Sequence, residues 1–237
     1  MLSESVIRDF SVKWQTTKLN VVREYLQHLF LSHLYRSKDS GGLAFKGGTA
    51  LRLLFRSPRF SEDLDFSGTS KAFHLERILA QAVSKIEDEG ISLETLESKP
   101  TSGGFLALFQ GELLGEQVRL ELNVSLRKRV KPEPILVTTP LCPSYQCLTL
   151  PLAELVREKC EALLTRRKSR DYYDLYFLLR ERLGIQAIVS LKKRLTEALR
   201  GMDSKNVVRE LKVFLPVSHH PIAAKLDALL LSELNRL

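Results

Sequence analysis

The chain has 237 residues, 44% of them hydrophobic and 27% charged, and a formal net charge of +8 at pH 7. That is long enough for one large domain or two small ones, with the composition of an ordinary globular protein. It excludes a membrane span, since no stretch approaches the roughly 18 apolar residues one needs, and three cysteines (Cys142, Cys147, Cys160) argue against a disulfide framework.

The N-terminus, MLSESVIRDF, mixes charges into its apolar residues. It predicts no signal peptide and a cytoplasmic location. The cysteines lack a second pair or nearby histidines, which speaks against a zinc site. His219-His220 reads as surface or helix-start residues. The basic balance suits a polyanionic partner, because Lys and Arg gain by releasing counterions from phosphates.

Residues 17 to 37 predict an amphipathic helix, with Leu19, Val22, Leu26, Leu29 and Phe30 at helical spacing. A short apolar run, Leu43-Ala44-Phe45, leads into Gly47-Gly48, and TALRLLF then opens a helix. A turn-rich stretch containing Pro58 follows, and Asp63 to Phe66 alternates like a strand. Residues 71 to 89 predict a helix ending at Gly90. Three strand-like segments come next: ISLETL, FLALFQ and VRLELNV. In the last, Val118, Leu120, Leu122 and Val124 face one way and Arg119, Glu121 and Asn123 the other. The proline-punctuated stretch KPEPILVTTPLCPSYQCLTLP reads as a loop or crossing segment. Helices are expected at 152–165, 170–182, 185–200, 204–214 and 220–236. Mixed elements followed by helices predict an α+β chain, with a first lobe over 1–150 and a helical second lobe over 151–237.

The chemistry concentrates in FKGGTALRLLFRSPRFSEDLDF, residues 45 to 66. On a strand Asp63 and Asp65 project to the same side, and two like charges so close require a cation or a proton between them. Mg²⁺ is commonly held by one or two carboxylates plus substrate phosphates. Alone, Asp-x-Asp is a weak signal and is better explained as a solvated strand face. Gly47-Gly48-Thr49 adds a strand-to-helix turn whose backbone N–H groups suit an anion, with the Thr49 hydroxyl as a further donor. A phosphate cradle followed by a carboxylate pair is what displacement on a nucleoside triphosphate requires.

KGGTALRLLF and RFSEDLDF together resemble the AbiEii/AbiGii nucleotidyltransferase toxins, a family whose relatives include the MenT toxins. LVREKCEALLTRRKSRDYYDLYFLL, residues 155 to 179, is similar to that family's helical Lys…Arg-Asp-x-x-Asp motif. The resemblance spans about residues 40 to 180. It implies a nucleotidyltransferase-fold first lobe with a mixed sheet, and a helical lobe completing an active-site cleft. Lys46, Gly47, Gly48, Thr49 and Lys159 would hold a nucleoside triphosphate. Asp63 and Asp65 would bind Mg²⁺ or Mn²⁺, with Glu121 as third carboxylate and Asp174 as a further catalytic member. Asp171 is assigned to capping its helix, and Arg170 to positioning Asp174 or touching substrate. Tyr172, Tyr173, Tyr176 and Phe177 are read as packing. Arg127, Lys128, Arg129 and Lys131 form one basic cluster, and Arg166, Arg167, Lys168 and Arg170 another. They are candidates for RNA binding. Arg52, Arg56 and Arg59 lie beside the phosphate turn, available to nucleotide or RNA. The implied activity is transfer of a nucleoside monophosphate to an acceptor, plausibly a tRNA 3′ end, with a cognate antitoxin as regulator. A catalytically inactive nucleotide- or RNA-binding module of the same fold, and a metal-dependent nuclease, are the competing readings.

Overall fold

The computed structural model describes residues 2–68, 72–127 and 131–237, without the side chains of Ala72 and Phe73. Among these, no helix is long and apolar enough to cross a membrane. Packing divides the chain into two compact units. The first comprises residues to Arg56 and Phe60–Leu150; the second comprises Ser57–Arg59 and Pro151–Leu237.

The first unit opens with α1 (Glu4–Lys13) and α2 (Lys18–Leu34), each started by a hydroxyl cap, Ser3 on the Val6 N–H and Thr17 on the Asn20 N–H. Helix α2 is buried on nearly every side, from Val21 to Leu34. Then come β1 (Leu43–Lys46), α3 (Gly47–Phe55), β2 (Leu64–Gly68) and α4 (Ala72–Glu87). Strands β3 (Glu94–Thr101), β4 (Gly104–Leu113), β5 (Glu116–Ser125), β6 (Glu133–Val137) and β7 (Tyr145–Thr149) complete one mixed sheet of seven strands. Its order is β3-β4-β5-β2-β1-β7-β6. Strand β2 runs antiparallel to β1 and parallel to β5, with Asp65 opposite Lys46 on one side and Asn123 on the other.

The alternation in β5 decides which face is which. Val118, Leu120, Leu122 and Val124 are buried, with Leu64 and Phe66 of β2. Arg119, Glu121, Asn123 and Asp65 take the more accessible face. A core on one face and water on the other is the usual condition of antiparallel sheet.

Two expectations for this unit need correction. The proline-rich stretch forms the hairpin β6–β7 instead of a loop. Pro134 lies on β6, which ends the sheet, and an edge strand tolerates the missing donor. Strand β3 begins at Glu94, further along than ISLETL suggested, and carries Pro100 on the opposite edge.

The second unit is helical: α5 (Leu152–Arg166), α6 (Ser169–Arg180), α7 (Ile185–Val189), α8 (Lys192–Leu199), α9 (Ser204–Leu211), α10 (His220–Ala224) and α11 (Leu226–Asn235). Helix α6 is its centre, packing against α5, α9 and α11. The helix expected over 185–200 is two, separated at Ser190-Leu191. The Ser190 hydroxyl donates to the Ala187 carbonyl at 2.7 Å, a local bond that competes with helix continuation.

Candidate active site

In the first unit the site is built around the step from β1 into α3. Lys46 is still extended (φ −151°), and the next residue, Gly47, starts the helix with φ +86°. An L side chain is strained there. The absent side chain also makes room, since a Cβ on Gly47 would stand 2.3 Å from Asp65 Oδ2. The Asp65 carboxylate is therefore packed against the first residue of α3, where unpaired N–H groups and the helix dipole favour negative charge. No side chain caps this end of the helix with a hydrogen bond.

Asp63 is fixed differently. Thr49 is fully buried, and its hydroxyl donates to the Asp63 carbonyl at 2.5 Å, tying the first turn of α3 to the entry of β2. The Asp63 side chain faces a cavity of about 470 Å³, lined also by Arg23, Glu62, Gln110, Arg119 and Glu121. Arg23 pairs with Glu62 at 3.1 Å, and Arg119 donates to Gln110 at 2.9 Å. Asp65 lines a smaller recess of about 260 Å³ with Lys46, Asn123 and Arg127. Asn123 Nδ2 donates to Glu121 Oε1 at 3.0 Å, so one hydrogen bond joins a residue of each lining.

The second unit contains a buried charge cluster. Asp174 on α6 has no exposed surface. Arg59 grips it through both oxygens, Nε to Oδ1 at 2.8 Å and Nη2 to Oδ2 at 3.0 Å. Lys159 on α5 donates to Oδ2 at 2.7 Å. Burial alone would push the Asp174 carboxyl up, but the charges of Arg59 and Lys159 outweigh it and hold the group at about 2. Asp174 is thus a fixed anion between two cations at any physiological pH.

A family profile described as nucleotidyl transferase AbiEii toxin, type IV toxin-antitoxin system, matches residues 29–232. The chain belongs to the AbiEii family. It is a nucleotidyltransferase of the toxin class. A search of curated proteins finds no match. Among solved structures, MenT4, the nucleotidyltransferase toxin Rv2826c of Mycobacterium tuberculosis H37Rv, superposes with a TM-score of 0.62 at 16% identity, over 100% of this chain and 93% of that one. JHP933 of Helicobacter pylori superposes with a TM-score of 0.60 at 19% identity, over 94% of each chain. At such identities the likeness is one of fold.

Several residues of this AbiEii chain stand where the motif reading put them, and others do not. Gly47, Asp63, Asp65 and Glu121 all belong to the accessible side of the first unit's sheet or its adjoining turn. Glu121 is two residues before Asn123 on β5, one position beyond the Leu64–Leu122 pair that starts the β2–β5 ladder, so it falls level with Asp63. Among the described residues no group of three His, Cys, Asp or Glu side chains is placed to hold one ion. The Thr49 hydroxyl donates to the Asp63 carbonyl. Asp174 has no exposed surface and is held by Arg59 and Lys159. Lys159 is only 8% exposed. Arg59, expected to serve nucleotide or RNA, is buried under Asp174.

Asp171 caps α6, accepting the Lys168 N–H at 3.1 Å, and also receives Arg166 through two bonds of 2.9 and 2.7 Å. Arg166 is therefore charge-paired, while Arg167 and Lys168 are exposed. Arg170 is half-buried on α6. Lys128 and Arg129 lie outside the described residues. Arg52 stacks at 3.9 Å over the Phe60 ring and donates to the buried Glu24 at 2.8 Å, a packing role. The Arg59–Asp174 pairing escaped sequence reading because 115 positions separate its members, and the two motifs that contain them do not announce a contact.

Proposed function

We propose that this nucleotidyltransferase moves a nucleoside monophosphate from a nucleoside triphosphate to a hydroxyl of an RNA acceptor, a tRNA 3′ end being the favoured case. The supporting observation is the contact between Gly47 and Asp65. A phosphate held by the N–H groups of α3 lies beside a carboxylate that already occupies the mouth of that helix. Two anions so close need a cation shared between them, and Asp63 and Asp65 are the carboxylates available to hold it. Bound there, Mg²⁺ or Mn²⁺ would neutralise phosphate charge and polarise the reacting phosphoryl group.

In the reaction the acceptor oxygen forms a bond to the α-phosphorus, the bond from that phosphorus to the bridging oxygen breaks, and pyrophosphate leaves. Gly47 and Gly48 orient the triphosphate through backbone N–H groups, and Lys46 adds a positive charge opposite Asp65. Glu121, level with Asp63 and oriented by Asn123, takes the acceptor's proton. Lys159 binds a phosphate of the triphosphate as a held point charge. The exposed Arg127, Arg167 and Lys168 serve the RNA backbone. The family's toxin-antitoxin setting supports an antitoxin as regulator.

The test is incubation of the protein with each α-labelled nucleoside triphosphate, Mg²⁺ and total tRNA. Label is expected on tRNA, and lost with Asp65→Ala. Transfer by the Asp65→Ala variant at the wild-type rate would overturn the metal assignment. Label on protein but never on RNA would overturn the acceptor.

A further inference from the structure

The cavity beside Asp63 is polarised along its length, and all of its lining belongs to the first unit. One end carries the carboxylates of Glu62, Asp63 and Glu121; the other carries Arg119, Gln110 and Gln117. Its volume of about 470 Å³ is that of a small-ligand site. Two arginines line it, and they differ. Arg23 is engaged at both ends of its guanidinium, Nη2 with Glu62 at 3.1 Å and Nη1 with Asn20 at 3.3 Å. Arg119 is held by its Nε, which donates to Gln110 Oε1 at 2.9 Å, and Gln110 lies directly opposite it on β4. A guanidinium fixed at Nε presents its two terminal nitrogens as a fork, and here neither has a hydrogen-bond partner among the described residues. Such a fork binds phosphate through two parallel bonds.

Spacing tells which phosphate. Arg119 and Glu121 are alternate residues on one face of β5, so they stand about 7 Å apart. Leu108, paired with Glu121 across the ladder, gives that face a half-buried apolar patch beside the carboxylate. Within one nucleotide the sugar separates the 3′ oxygen from the 5′ phosphorus by a comparable span. A terminal nucleotide with its 3′ hydroxyl at Glu121 therefore brings its own 5′ phosphodiester to the Arg119 fork, with the sugar over Leu108. The reverse placement would press the phosphodiester against the carboxylate end. We propose that this cavity is the acceptor subsite, in which Arg119 binds the last phosphodiester of an RNA 3′ end and Gln110 positions the guanidinium. This rests on the reading given above of RNA as acceptor and Glu121 as its base. The donor triphosphate then lies on the Asp65 side, in the recess with Lys46, and the Asn123–Glu121 hydrogen bond marks the divide.

The experiment offers the full chain two acceptors: tRNA with its last phosphodiester intact, and the same tRNA with that linkage replaced by an uncharged methylphosphonate, the preceding 2′ hydroxyl being methylated in both. Label transfer is followed at saturating nucleoside triphosphate and Mg²⁺ while tRNA is varied. In the wild type the methylphosphonate is expected to raise KM for tRNA about tenfold, as loss of a hydrogen bond to a charged group does, with kcat little changed. Arg119→Gln should raise KM for the intact tRNA by a similar factor. It should also make the enzyme indifferent to the methylphosphonate within about twofold, because the two changes remove one contact. Gln110→Leu should raise KM by less and add nothing in the Arg119→Gln background. Triphosphate affinity, read by calorimetry without tRNA, should stay at the wild-type value, and melting temperatures of the Arg119 variant should not move, because Arg119 is exposed. A tRNA KM unchanged by Arg119→Gln, or a methylphosphonate penalty that survives it, would overturn the assignment and leave the RNA acceptor standing. A fall in triphosphate affinity that matches the change in KM would give the cavity to the donor nucleotide instead. A Gln110→Leu loss that persists in the Arg119→Gln background would remove Gln110 from its positioning role. Label on no tRNA from the wild type would sink the acceptor reading itself, and the subsite with it.

Discussion

At Gly47 two constraints meet that are independent of each other: a positive φ, and a carboxylate oxygen where a side chain would stand. Gly47→Ala is therefore expected to cost about 1–2 kcal/mol from the backbone alone and to displace Asp65. Label transfer should fall by about a hundredfold, the usual penalty for moving a reacting group by an ångström. Melting curves and the transfer assay check both, and an alanine variant of full activity would remove Asp65 from the reaction. Asp174→Ala makes a different prediction. It leaves Arg59 and Lys159 enclosed without their anion, so unfolding in urea should show a loss of about 3–5 kcal/mol. The local motif was legible because Gly47, Asp63 and Asp65 lie within one strand-turn-helix-strand passage, where spacing dictates proximity. The hydrogen-bond partners of Thr49, Arg59 and Lys159 were not. Each depends on a partner's backbone or a distant helix, and no residue type or interval announces a hydroxyl turned inward to a carbonyl.

Between elements, His28 of α2 reaches Tyr145 of β7, Nδ1 to hydroxyl at 2.8 Å, with both residues buried. Burial, and to a lesser degree the charge of Arg52, push the imidazole down to about 3. Unfolding returns it to about 6.5, so the unfolded chain binds more protons below that pH. His28 thus contributes stability above about pH 6.5 that drains away as pH falls towards 3. His28→Phe should lower stability at pH 7 by leaving the Tyr145 hydroxyl unpaired, yet flatten the acid limb of a plot of urea midpoint against pH. An unchanged acid limb would mean the imidazole is charged when folded. Strand β5 was legible through clean alternation, which a sheet with one dry face imposes. Strands β6 and β7 were hidden because a proline signal overrides alternation, and sequence cannot tell an edge strand from a central one. Helix α1 escaped because Ile7 is its single fully buried residue, leaving periodicity little to report.

For the whole molecule, the charge of +8 was legible from composition alone, but its distribution was not. Arg166 answers Asp171, and Arg52 answers Glu24, so fewer cations face a polyanion than the count suggests. Binding of tRNA should still weaken linearly in log–log form as salt rises. Arg167→Glu/Lys168→Glu should shallow that slope by about two, if each contacts one phosphate. A slope unchanged in the double variant would place the RNA elsewhere. The three residues Ser57–Arg59 have a last consequence. They belong by packing to the helical unit, although the chain on either side of them belongs to the sheet unit. The backbone therefore passes between the units three times, and the connection after Leu150 is not a seam along which the gene can be divided. A fragment ending at Leu150 would carry Arg59 without its carboxylate, and one beginning at Pro151 would carry Asp174 without its clamp. Expressed apart, each piece should be poorly soluble. Co-expressed, they should reassemble only when the first fragment retains Arg59, which makes this short excursion the natural place to build a conditional split toxin.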